Sequence, residues 1–555
     1  MFRQRMILLA LLPFTFTGCQ SARRADTPKG ATVPLFEGMG SHGRTVTTFS
    51  PLAQKYFDQG LVWTFAFNHD EAIRSFEQAT RYDPDCAMAY WGISLCNGPH
   101  INNPAMPPER SQAAWSALQL AISRKAKATA VECDLIDALS KRYAASPPND
   151  RKSLDEAYAA AMREVWKKYP NDADLAVLFA ESMMDLRPWD LWTHDGKPQP
   201  GTQEIVATLE TALRLQPDHP GALHLHIHAV EASPNPGQAT ASGDRLRQLV
   251  PASGHLVHMP THIDVLTGRW KEASDYNVQA IEADRRYRAI SPRQEFYRFY
   301  MAHNHHMLTF AAMMEGRGDV AIRSAREMIA GVPEEYARRN SALIDAIAAA
   351  PFETLMRFGR WDAILKEPAP PSYLPITTAL WRFSRGIAFA AKNQISDAEN
   401  ERTLFNQAVA AVPKDAMMAI NPAEKVLQIA SHVLDGEVAF RKGESDSAVA
   451  SLRQAIVIED NLRYMEPPEW ILPVRHTLGA FLTANARYEE AEKVYREDLA
   501  EWPDNGWSLY GLAQCLRARG AATEAEQVDR KFQKVWSRAD TRIGSSCMCV
   551  PGKRG

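Results

Sequence analysis

Small and apolar residues recur along this chain at helical spacing, and the pattern itself repeats. In Tyr56–Pro84 (YFDQGLVWTFAFNHDEAIRSFEQATRYDP), Gly60, Ala72, Phe76, Ala79 and Pro84 mark two amphipathic helices closed by a proline. Tyr488–Pro503 carries Ala491, Tyr495, Asp498 and Pro503 in the same arrangement, with Gly479 twelve residues before Ala491 and Ala525 thirty-four after it. Between these ends Pro170, Pro217 and Pro251 each close a helix pair, and both Pro217 to Pro251 and Ala239 to Ala273 are steps of 34 residues. Less regular units surround Gly359-Arg360-Trp361, Gly386 to Pro413 and Gly436 to Ala455. Alternating β-branched runs are missing, so the expected fold is all-α. A solenoid of roughly eight to ten helix pairs is predicted over residues 45–540.

The spacing of Gly60, Ala72, Phe76, Ala79 and Pro84, and its echo at Gly479 to Pro503, resembles the tetratricopeptide repeat family. The resemblance implies antiparallel helix pairs stacked into a superhelix, whose first helices line a concave groove that receives a peptide or protein partner. It is specific for fold and unspecific for function. Three stretches depart from the repeat: Asn97 to Pro108, Leu186 to Gly201 and Ala289 to Phe296. Long loops in a solenoid point to binding features.

Nine of the sixteen histidines fall in three short pieces: ALHLHIHAV from Ala222, GHLVHMPTHIDVL from Gly254 and FYMAHNHHML from Phe299. His224 to His258 and His228 to His262 are again steps of 34. Counted within their units, His255 and His303 take position 2, His224, His258 and His306 position 5, and His228 and His262 position 9. That i, i+3, i+7 spacing puts them on one face of each first helix. The family resemblance implies that this face looks into the groove, so His224, His228, His255, His258, His262, His303 and His306 are the candidate metal ligands. His226 and His305 fall off the face, and Pro260 is expected to kink or begin a helix. Glu181 and Asp185, in the preceding unit, are candidate companions. Neutral imidazole suits a transition-metal ion, zinc or copper first, and not calcium or magnesium. The alternatives are an anionic small ligand held by protonated histidines, or a peptide-binding scaffold whose histidines are structural. His476, His69 and His100 are weaker candidates. No GxSxG, HExxH, CxxCH or phosphate-binding loop assigns a reaction, so whether the chain is an enzyme is left open.

Composition adds limits rather than a function. A formal charge of −3 leaves no basic surface and argues against a nucleic-acid partner. Arg3 and Arg5 precede an apolar run from Met6 to Phe16, followed by Thr17-Gly18-Cys19. This resembles the lipobox of bacterial lipoproteins, with Phe16 where leucine is usual. The resemblance implies a signal peptide over 1–19, lipidation of Cys19, a flexible tether over 20–44 and a protein held by its lipid at a membrane of the cell envelope, on the periplasmic or outer-membrane face. The remaining cysteines are Cys86, Cys96, Cys133, Cys515, Cys547 and Cys549, too few for a disulfide scaffold. A flexible tail is expected over 541–555, with Cys547 and Cys549 as its one close pair.

Overall fold

The computed structural model describes residues 33–292 and 294–550. The predicted signal peptide, Cys19 and the first part of the tether lie outside these residues. Among the described residues the regular structure is helical, from Pro51 to Arg538, apart from one two-residue hairpin pairing Met417–Met418 with Asn421–Pro422. Twelve helix pairs follow one another, from Pro51–Phe65 with His69–Tyr82 to Gly506–Ala518 with Ala522–Val535. The sequence count of eight to ten was low because units such as Ala130–Leu139 with Lys152–Lys168 lack the small-residue signature. No helix among the described residues is long and apolar enough to cross a membrane.

The repeat residues pack as their sizes dictate. The Phe76 ring is wedged between Gly60 and Gly92, which belong to successive first helices, and a Cβ at either glycine would fall inside the ring. Near the other end Tyr495 is held between Gly479 and Gly511 in the same way. One aromatic ring from each second helix thus locks two neighbouring first helices at close range. Pro260 breaks its helix in two, Gly254–His258 and Pro260–Leu266, meeting at Met259.

Both segments expected to be flexible are packed in their described parts. At the N-terminal end, Phe36 stacks edge-on against Trp63, Ala252 N–H donates to the Gly38 carbonyl, and Arg44 makes ion pairs with Asp172 and Asp174. At the C-terminal end, Asp540 accepts from the amides of Gly318 and Asp319, and the buried Ser546 hydroxyl donates to the His476 carbonyl. A disulfide joins Cys547 to Cys549. Specific polar pairs, with the partly buried Phe36 ring at one end and the buried Ser546 hydroxyl at the other, pin these segments, which composition does not reveal.

Candidate metal centre

The three histidine-bearing helices are Pro220–Val230, the broken pair Gly254–His258 and Pro260–Leu266, and Tyr297–Met314. Each of the first two starts from a cap: the His219 ring accepts from Ala222 N–H, and Ser253 accepts from Leu256 N–H. The caps fix where each helix begins, and so which way its later side chains point. The resulting surface is not an open groove. His224 and His258 are fully buried, and Phe67, Trp189 and Tyr300 pack their rings over His224, His228 and His255. Trp189 comes from the Leu186–Gly201 loop, Phe67 from the turn inside the first helix pair and Tyr300 from the third histidine helix itself.

Inside, the imidazoles form two triads. His224, His228 and His255 bring their ring nitrogens within 4.8 Å of one another, and so do His258, His262 and His303. In the first triad the Nε2 atoms of His224 and His255 are 3.2 Å apart. In the second, His262 Nε2 lies 2.8 Å from His258 Nε2 and 3.3 Å from His303 Nε2.

The outer nitrogens decide which tautomers are present. His224 Nδ1 donates to the Phe65 carbonyl at 2.7 Å. His258 Nδ1 donates to Asn277 Oδ1 at 2.7 Å, and the Asn277 amide group is oriented by its own bonds to Thr261 and the Ala273 carbonyl. Glu231 takes two such protons, from His228 Nδ1 on one oxygen and His262 Nδ1 on the other, both at 2.8 Å. Glu466 adds a second carboxylate 2.9 Å from His262 Nδ1. A histidine holding its proton on Nδ1 presents a lone pair at Nε2. Nε2 of His224, His228 and His258 therefore face inward as bases, with His262 Nε2 turned to the same space, and that of His228 is buried without any partner.

Charge follows the same layout. Burial, reinforced by neighbouring imidazoles, holds His224, His255, His258 and His303 well below the usual histidine range. His262 is the exception: burial works against its charged form, but the Glu466 and Glu231 carboxylates outweigh it and raise the group to about 10. Glu231 feels the same burial, yet His228 and His262 draw it down to about 2. Glu466, desolvated and beside Glu231, rises to about 7. Glu231 is thus an anion that ties the two triads together from behind.

Two stretches of the chain match models described as tetratricopeptide repeat, residues 68–97 and residues 482–528. The chain carries tetratricopeptide repeats near both ends. No curated protein sequence matches it. Similar solved structures include a human IFIT1 dimer with m7Gppp-AAAA, at 14% identity over 88% of this chain and 91% of that one, with a TM-score of 0.32. Yeast Tom70 is similar at 12% identity over 86% and 89%, with a TM-score of 0.28. The APC/C hetero-tetramer Cut9–Hcn1 is similar at 12% identity over 88% and 74%, with a TM-score of 0.28. At such distance none of their ligands transfers.

Of the seven histidines expected to line a groove, six enter the triads. His306 does not. It sits beyond His303 among apolar residues, where burial lowers it to about 4. Glu181 and Asp185 also stand apart: Arg142 pairs with Asp185, and neither carboxylate bonds a triad histidine among the described residues. Asp185 crowds Glu181, which is raised to about 8 chiefly by burial. His226 and His305 bond Ser242 and Ser324 on adjacent helices, and His476 bonds Asp498. The repeat and histidine pattern does not single out Glu231, Asn277 or Glu466 as partners of the triads. Glu231 alone carried a signal, three residues after His228 and so on the same helical face.

A third cluster has the composition of a site without its chemistry. His42 and His219 both contact Asp174 Oδ1, at 3.1 and 3.0 Å. His219 Nδ1 already accepts from a backbone amide, so its proton is on Nε2 and is given to the carboxylate. With Arg44 on the other oxygen, Asp174 is satisfied and no inward lone pair remains for an ion.

Proposed function

We propose that this repeat protein holds a dinuclear transition-metal centre, one ion on His224, His228 and His255 and a second on His258, His262 and His303. The observation that carries the reading is the pair His258 and His262. Both rings hold a proton on Nδ1, so two Nε2 lone pairs meet at 2.8 Å, and only a cation between them relieves the repulsion. A proton on His262 is one such cation; a metal ion that also engages His303 is the other. Six imidazoles with carboxylates confined to the outer shell suit zinc or copper, an ion taking the place of the extra proton on His262, and three ligands per ion leave a position open. Bound there, an ion would supply Lewis acidity or an activated water. The chain's own part is orientation: Glu231, Asn277 and the Phe65 carbonyl fix the rings, while Phe67, Trp189 and Tyr300 exclude bulk water.

Elemental analysis of protein purified without chelator tests this, with a double variant His258→Ala/His262→Ala beside it. Two equivalents of transition metal in the parent and about one in the variant are expected, with circular dichroism confirming helical folding of both. A folded parent that binds no added zinc or copper overturns the reading. The tetratricopeptide scaffold suggests protein or peptide partners in its own right, and a metal centre at its heart is compatible with one. The leader and Cys19 support placing the protein at a membrane of the cell envelope, which radiolabelled palmitate incorporation tests against Cys19→Ser.

A further inference from the structure

Only one triad faces a chamber of ligand size. A cavity of about 690 Å3 lies between the Leu186–Gly201 loop and residues 459–464, and it ends on His228 and Glu231. The space beside His303, next to the second triad, measures about 30 Å3, room for a single water. A volume of the larger kind accommodates an organic molecule rather than an ion and its water shell.

The walls define the chemistry of the occupant. Trp189, Trp192 and Tyr464 give the chamber aromatic faces, and the Trp189 indole meets the His228 ring edge-on at 5.6 Å. Trp192 is anchored by its indole N–H to the Ala229 carbonyl, so that wall is rigid. The charges inside are matched against one another: Arg187 with Asp190, and Arg475 with Asp460. Of the lining arginines only Arg463 lacks a carboxylate partner; it is exposed and donates to the Trp189 carbonyl, so no buried cation waits to offset the desolvation of an anionic ligand. Three lining atoms are buried without a hydrogen-bond partner, His228 Nε2, Arg475 Nε and the Tyr464 hydroxyl, and the hydroxyl is the one that belongs to neither the triad nor an ion pair. Buried hydroxyls are rarely left so, and a ligand hydroxyl would complete it.

We propose that this chamber binds an uncharged aromatic molecule of the phenol class, stacked on Trp189, hydrogen-bonded to Tyr464 and presented to the first triad at His228. The proposal rests on the metal reading for its consequence, but not for the binding itself.

Calorimetric titration of the full-length protein with phenol, cyclohexanol and benzoate tests it, with metal content measured on the same samples. Phenol should bind saturably, with cyclohexanol and benzoate weaker. Trp189→Ala should weaken phenol about three- to tenfold, and Tyr464→Phe should weaken phenol while leaving toluene unchanged. Binding of benzoate or cyclohexanol as tight as that of phenol, or phenol binding indifferent to both variants, overturns the proposal. Absent phenol binding with two metal equivalents retained sinks this inference alone. Phenol binding to a protein that takes up no metal supports the chamber and sinks the metal reading alone.

Discussion

Glu231 accepts a proton from His228 on one oxygen and from His262 on the other, at 2.8 Å each, and so joins two histidines that belong to different triads. Those histidines are one repeat period apart in sequence. A single buried carboxylate thereby sets the tautomer of a ring in each half of the site and neutralises charge gathered there.

Replacing Glu231 with Gln should therefore disturb both ions at once. An amide cannot accept from two imidazoles with both its ends, so one ring loses its orientation. Metal affinity, read by competition with a chromogenic chelator, should fall about 10–100-fold, with the helical content unchanged. An affinity equal to that of the parent would mean that the carboxylate does not position ligands.

His226 and His228 offer a contrast two residues apart. His226→Ala removes a bond to Ser242 and should cost about 1 kcal/mol in urea unfolding, with metal content intact. His228→Ala should lower metal content by about one equivalent. Equal metal loss in the two variants would contradict the division of the helix into a ligating face and a packing face.

Asp174 provides the pH test. Burial opposes its ionisation, but hydrogen bonds from His219 and His42 hold it well below the usual carboxylate range. A depressed folded pKa means stability present above the unfolded value and lost as pH falls through the folded one. Asp174→Asn should cost about 3 kcal/mol at pH 7, because Arg44 and its neighbours lose a buried anion. The gap between parent and variant should narrow in urea melts as pH drops below about 4. A gap that stays constant with pH would show that the carboxylate's charge is not what matters.

Gly511→Ala places a methyl group inside the Tyr495 ring. Overpacking of this kind should destabilise by about 1–3 kcal/mol, seen as a lower urea midpoint. A neutral effect would mean that the neighbouring first helices can separate without loss, contrary to the wedge seen at both ends of the chain.

Legibility in the sequence tracked how local each determinant was. Gly60 with Phe76 and Gly479 with Tyr495 lie within one helix pair, so their spacing exposes the repeat directly. The irregular pairs were undercounted because their helices pack through mixed large residues that have no fixed spacing. The histidine face was legible for the same reason as the repeat, since helical periodicity and the 34-residue step are properties of the chain itself. His306 had the right periodicity and still fell outside both triads, because each triad takes positions 5 and 9 of one unit and position 2 of the next, and Phe310 stands where His306 would need its second histidine.

What the amino-acid order determined by itself is the all-α repeat and a face of seven candidate histidines, both consequences of short-range helical geometry. What only the tertiary structure decided is how those histidines divide, which protons they hold and what covers them. Glu466 reaches His262 across about two hundred residues of sequence, and Trp189 covers His228 from a loop outside the repeat. Those contacts exist because the solenoid brings distant loops over one buried row, where an unpaired polar group is costly and must find its partner in space rather than along the chain.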